Sequence, residues 1–184
     1  MLFSGQFPTM RMSILPDFTY VGSLNFILHG VAKAEQHHFV VADKQRHVQR
    51  LLWVQFEAYL DNNDYTYRYR IQDTLTLAGY IFLHDSDILN IDDDYQERPS
   101  SDSAHVVDFL KEKGFVLDGD TMFKRLVWLA PGKRKEMMII YSEDLRPAGY
   151  RLADLTEGGS AAADWPALAQ GLHERALASF TVSL

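Results

Sequence analysis

The sequence predicts an α+β protein, one domain spanning residues 1–184. Its expected centre is an antiparallel β meander of about seven or eight strands, strongly curled or barrel-like, carrying an inserted helix and a C-terminal helix. Three observations lead there. Leu52, Val54, Phe56, Ala58 and Leu60 alternate with Trp53, Gln55, Glu57 and Tyr59, the period of two of a strand with one face in a core. Residues 122–130 and 135–142 flank the turn Pro131-Gly132-Lys133-Arg134 as a second hairpin. The apolar spacing turns helical in two places, residues 102–114 and 164–180.

Taken in order, residues 1–17 read as irregular, with Pro8 and Pro16 bracketing an apolar segment, residues 10–15, that suits an edge strand or an arm over the sheet. Phe18, Tyr20, Gly22, Leu24, Phe26 and Leu28 alternate with Thr19, Val21, Ser23, Asn25 and Ile27, a strand ending near Gly30. Residues 37–43 form the next strand, and Lys44-Gln45-Arg46-His47 turns the chain. Pairing Lys44 with His47 sets Phe39 opposite Leu52, Val41 opposite Arg50 and His38 opposite Trp53.

The strand 52–60 is then expected to fold back on itself. Asp61-Asn62-Asn63-Asp64 tolerates turn geometry, and residues 65–71 alternate in the opposite phase. With Leu60 opposite Tyr65, Ala58 meets Tyr67, Phe56 meets Tyr69 and Val54 meets Ile71, so Leu52, Val54, Phe56, Tyr67 and Tyr69 share one buried face. On the other side Glu57 faces Arg68 and Gln55 faces Arg70, a cross-strand charge pairing.

Residues 75–83 read as a further strand with a bulge at Gly79. Residues 84–114 read as an insertion: an acidic, solvated loop to Ser101, then a helix capped by Asp102 or Ser103. Val106, Val107, Phe109 and Leu110 form its apolar stripe and Gly114 stops it. The second hairpin is apolar on both faces, Leu126, Trp128, Met137 and Ile139 on one and Val127, Leu129, Met138 and Ile140 on the other, so it requires cover on both sides. Residues 143–163, with Pro147, Gly149, Gly158, Gly159 and an alanine run, read as a loop or linker. Asp164 caps the last helix, Pro166 opens it, and Leu168, Leu172, Ala176 and Phe180 repeat along one side.

Composition excludes several classes. A net charge of -7 argues against a nucleic-acid backbone as partner, since a basic face is needed there. No cysteine means no disulfide, thiol nucleophile or thiolate metal site, as suits a reducing, cytoplasmic location. No segment approaches the ~20 apolar residues of a membrane helix, and the N-terminus lacks a leader's basic and apolar regions. Metal and cofactor sites are not expected: adjacent strand residues His37 and His38 point apart, the acidic loop lacks the glycine and glutamate of a calcium loop, and nucleotide and hydrolase signatures are absent.

The strand-rich order followed by a helix resembles lipocalin-like barrels in outline, without the early Gly-x-Trp of that family. Two groups carry chemistry. Tyr65, Tyr67 and Tyr69 with Phe56 and Phe39 would line the hollow of a curled sheet; this leads to the first expectation, a soluble protein holding a small, partly apolar ligand. His38, Trp53, Gln55, Glu57, Arg68 and Arg70 would share the polar face. They support the alternative of an enzyme acting on an anionic small molecule, with His38 or Glu57 as base and the arginines as anion clamp. The bland readings are a packed tyrosine core and a solvated, self-paired face, and an interaction module using a sheet edge or the last helix is a third possibility.

Overall fold

The computed structural model describes residues 2–4 and 8–183. The strands are β1 (Leu2–Ser4), β2 (Met10–Ile14), β3 (Thr19–Leu28), β4 (Ala32–Ala42), β5 (Val48–Tyr59), β6 (Thr74–Leu77), β7 (Tyr80–Asn90), β8 (Asp120–Leu129), β9 (Lys135–Asp144) and β10 (Phe180–Ser183). The helices are α1 (Ile91–Glu97), α2 (Asp102–Glu112), α3 (Leu152–Leu155) and α4 (Trp165–Ala178). The α+β class is as expected. The main sheet is antiparallel and seven-stranded, in the order β3-β4-β5-β9-β8-β7-β6, and β1, β2 and β10 form a small second sheet. The main sheet is open, with β3 and β6 at its edges, and is neither closed nor strongly curled.

Both faces of this sheet are covered. On one, here the α4 face, Leu52 and Val54 of β5 and Met137, Ile139 and Tyr141 of β9 meet Met10 and Met12 of β2 and Leu172 and Ala176 of α4 in a single apolar cluster. On the other, the α2 face, Val40, Leu51 and Trp53 pack beneath Val106, Phe109 and Leu110. Ser101 caps α2, accepting from the Ala104 N–H, one residue ahead of the caps expected from sequence. The β4–β5 register is as predicted: Phe39 lies opposite Leu52, Val41 opposite Arg50 and His38 opposite Trp53. The second hairpin also keeps its expected faces, with Leu126 opposite Ile139 and Val127 opposite Met138.

Four differences have physical causes. Residues 65–71 form no strand, and β5 pairs instead with β9, Phe56 against Met137 and Glu57 against Glu136. The local hairpin would have required Arg68 and Arg70 to lie beneath α2, where burying them is costly; β9 offers apolar residues for both layers. The segment becomes an irregular strap, tied by Tyr67 N–H to the Lys133 carbonyl and by the Arg134 guanidinium to the carbonyls of Leu60 and Tyr65. Next, residues 84–90 are strand and not loop: Ala78 and Gly79, both at positive φ, make a tight turn, and β7 runs on from it. Asp85 is tolerated there because its ladder partner is Arg125. In β3 a bulge between Tyr20 and Gly22 switches the alternation, so Tyr20 stacks near Phe39 while Gly22 faces α2. A Cβ at Gly22 would stand 3.2 Å from the Phe109 ring. Finally, the segment at 143–163 contains α3, and β10 follows α4 and pairs with β2.

Candidate functional site

Polar residues on β4 and β5 lie under α2 as a connected row. The Gln36 amide donates to Gln55 Oε1 at 2.7 Å and to the Asp102 carbonyl at 3.0 Å, the Gln55 amide donates to Glu57 Oε2 at 2.8 Å, and Gln36 Oε1 faces His38 Nε2 at 3.3 Å. Gln36, His38 and Gln55 have no exposed surface. Because Gln36 spends its amide hydrogens on Gln55 and Asp102, its oxygen must accept from His38, which puts the imidazole proton on Nε2. Burial holds His38 down at about 4, against a smaller upward pull from the backbone at Gly22, so the ring is neutral. It stacks on Phe109 with centroids 4.6 Å apart. Among the described residues neither His38 Nδ1 nor Trp53 Nε1 has a hydrogen-bond partner of good geometry.

At the far end of the row two carboxylates face each other across the β5–β9 ladder. Glu57 and Glu136 are register partners, 4% and 1% exposed. The strap supplies their donors: Tyr67 Oη to Glu57 at 2.7 Å and Tyr69 Oη to Glu136 at 2.8 Å. Burial pushes Glu136 up to about 8, helped by the charge of Glu57 and opposed by the Tyr69 hydrogen bond; burial also raises Glu57. At neutral pH Glu136 is therefore largely a neutral acid beside a second carboxyl. No described cavity is lined by either glutamate.

Open space on this face lies elsewhere. An inner cavity of about 60 Å³ under α1 and α2 is walled by Leu51, Trp53, Ala104, Phe123 and Ile140. An outer cleft of about 400 Å³ between α1 and α2 is rimmed by Asp92, Asp108, Lys111 and Asp118. Ile91, Tyr95, Val107 and Leu117 line both, so the two spaces adjoin. The helix α1 has no buried residue and is held by polar contacts, Tyr95 Oη to Asp108 at 2.9 Å and Ser103 Oγ to Asp94 at 2.7 Å.

The residues singled out from sequence are divided by this arrangement. Phe39 is buried in the α4-side core and Phe56 packs against it, whereas Tyr67 and Tyr69 reach the α2 face and Tyr65 is 56% exposed. His38, Trp53, Gln55 and Glu57 do share the polar face, but Arg68 and Arg70 are exposed on the strap, and Glu57 is bonded by Tyr67 and Gln55. Gln36 and Glu136 escaped the sequence reading. Gln36 stands two residues before His38, the spacing of one strand face, but just ahead of residues 37–43 read as the strand; Glu136 interrupts the apolar β9, a signal that depended on knowing that β5 pairs with β9. Among the described residues no group of three or more His, Asp or Glu is arranged to hold a metal ion, and no helix is long and apolar enough to cross a membrane. The chain matches no protein-family model, no characterised protein and no solved structure in comparisons with each.

Proposed function

We propose that the protein binds a small, partly apolar molecule, held between α1, α2 and the sheet and not among the tyrosines. The observation that carries this is an apolar cavity with the unpartnered indole N–H of Trp53, a residue in its wall, joined to a larger cleft open to solvent. An apolar cavity of roughly 150 Å³ admits benzene. The inner space of about 60 Å³ therefore takes an apolar group of a few carbons, and the outer cleft, within the size range of ligand sites, takes the remainder. A hydrogen-bond acceptor on the apolar group would satisfy Trp53. With no buried residue of its own, α1 is the element that opens for entry. The test is a titration with Nile red: saturable fluorescence is expected, and Val107→Trp, which plugs the neck, should abolish it at an unchanged unfolding midpoint. Dye binding that does not saturate, or that survives the plug, would end this reading.

The enzyme reading has one specific support, the Glu57–Glu136 pair with a proton available near neutral pH. Access requires the strap to lift, which would uncover Tyr67 and Tyr69 together. Hydrogen exchange at the Tyr67 amide, bonded to the Lys133 carbonyl, measures that opening; exchange only at the global unfolding rate would rule the pair out as a working site.

A further inference from the structure

The α4 face carries a buried cation among apolar neighbours, and it is remote in role from the ligand cleft just described. Lys124 of β8 is 3% exposed and lies between Met122 and Leu126, the neighbours on its own face of the strand. Among the described residues its ammonium makes one hydrogen bond, to His84 Nδ1 of β7 at 2.7 Å. That contact leaves the His84 proton on Nε2. His173 of α4 brings its ring to 5.4 Å from that of His84. All three side chains line a cleft of about 380 Å³ that Pro166, Ala169 and Gln170 of α4 continue.

An ammonium has three donors, and two of these have no acceptor among the described residues. The acids nearby do not complete the site. Asp85 is held by the Arg125 guanidinium through both nitrogens, and Glu174 accepts from Gln170. Asp73, in the wall, makes no ion pair among the described residues. A buried cation left with unused donors at the floor of an open cleft is suited to an anion brought by a ligand.

We propose that this cleft binds the phosphate group of a small phosphorylated molecule, with Lys124 as its floor and His84 and His173 as lateral donors. Three nitrogen donors from three different elements suit a tetrahedral oxyanion better than a planar one, and the cleft has room for the organic remainder of the molecule. Burial lowers the pKa of Lys124, of His84 and of His173, and Asp73, Asp85 and Glu174 oppose this in part. A bound dianion favours the protonated forms of Lys124 and His173, while His84, accepting from Lys124 at Nδ1, donates from Nε2 as the neutral ring, so binding takes up protons and tightens as pH falls.

Sulfate, dianionic throughout, is the probe for the full-length protein, followed by the imidazole C–H signals of His84 and His173 identified with H84Q and H173Q. Both signals should shift saturably, with affinity about tenfold tighter near pH 6 than near pH 8. Glycerol phosphate should displace sulfate, and Lys124→Gln should weaken binding by about tenfold or more. Should Lys124→Gln fail to fold, His173→Gln, at a half-buried rim position, must weaken sulfate binding by several-fold. Shifts that do not saturate, an affinity independent of pH, or binding unchanged in the variant that folds would overturn the phosphate site. Sulfate binding that glycerol phosphate cannot displace would overturn the phosphorylated ligand.

Discussion

Leu52 and Trp53 are adjacent on β5 and enter different surroundings. Leu52 is fully buried in the cluster of Phe39, Val54, Ile139 and Tyr141, facing the small sheet and α4. Trp53 faces α2, opposite His38, with its N–H unbonded and a cavity at its side. The same strand thus seals one face with apolar packing, while on the other it joins its neighbours in burying amides, a histidine and two carboxyls, and there Trp53, not these polar groups, borders the cavity. The first arrangement maximises stability. The second accepts desolvation of polar groups, the condition under which pKa values shift and donors go unpaired.

The contrast is broken most severely from the α4 side. Phe82→Ala, at a side chain with no exposed surface in that cluster, should cost ~3–5 kcal/mol by urea denaturation, whereas Val107→Ala, at a half-buried position already bordering open space, should cost well under half of that. Equal losses at both sites would mean that the α2 side is as tightly filled as the core.

A pH titration of stability sharpens the comparison, because both strongly shifted groups of the polar row belong to the α2 face. The carboxyl of Glu136 keeps its proton to about 8 in the folded state and loses it near 4.5 when unfolded; its contribution is complete below the latter and lost as pH rises to the former. His38 is the reverse. Ordinarily titrating near 6.5, it is held at about 4, so its contribution is complete above 6.5 and lost as pH falls to about 4. Between 4.5 and 6.5 the Glu136 and His38 slopes oppose each other, and from 6.5 to about 8 the Glu136 slope, in the same direction as that of the raised Glu57, is no longer opposed by His38. Unfolding midpoints should therefore fall over that upper range, and Glu136→Gln should flatten the decline. A decline unchanged in Glu136→Gln would show that the carboxyl is not buried as described.

Next in size is Tyr67→Phe. The ring stacks on Tyr59 at 4.3 Å and would stay, but Glu57 loses a donor inside a buried site, a cost of ~1–3 kcal/mol. A variant as stable as the parent would place the hydroxyl at the service of a ligand and revive the tyrosine-lined hollow.

How far all this was legible in the sequence followed the range of the pairing involved. The β4–β5 register came from a four-residue turn and a period of two, and the helices from caps and apolar spacing, all local signals. The β5–β9 pairing joins segments some eighty residues apart and has no local signature, and it is what places Glu136 beside Glu57. Three of the five residues of the polar row, His38, Gln55 and Glu57, were readable with Trp53 as one sheet face; its burial was not, because the cover comes from α2 and a strap whose alternation imitates a strand.

The smallest expected effects concern that strap. Had residues 65–71 formed the returning strand, Arg68 would lie against Glu57 beneath α2, and truncating it would strand a buried carboxylate at a cost of ~3–5 kcal/mol. Instead Arg68 and Arg70 are exposed, while the side chains that hold the strap down are Tyr67, Tyr69 and the crossing Arg134. Arg68→Ala and Arg70→Ala should each change stability by no more than ~0.5 kcal/mol, as exposed substitutions do, and should leave the pH profile untouched. Arg134→Ala removes the bonds to the Tyr65 carbonyl of the strap and to the Leu60 carbonyl before it, and should speed hydrogen exchange at the Tyr67 amide even where the global midpoint hardly moves. A loss above ~1 kcal/mol for Arg68→Ala would return the arginine to the polar face and with it the anion clamp expected there.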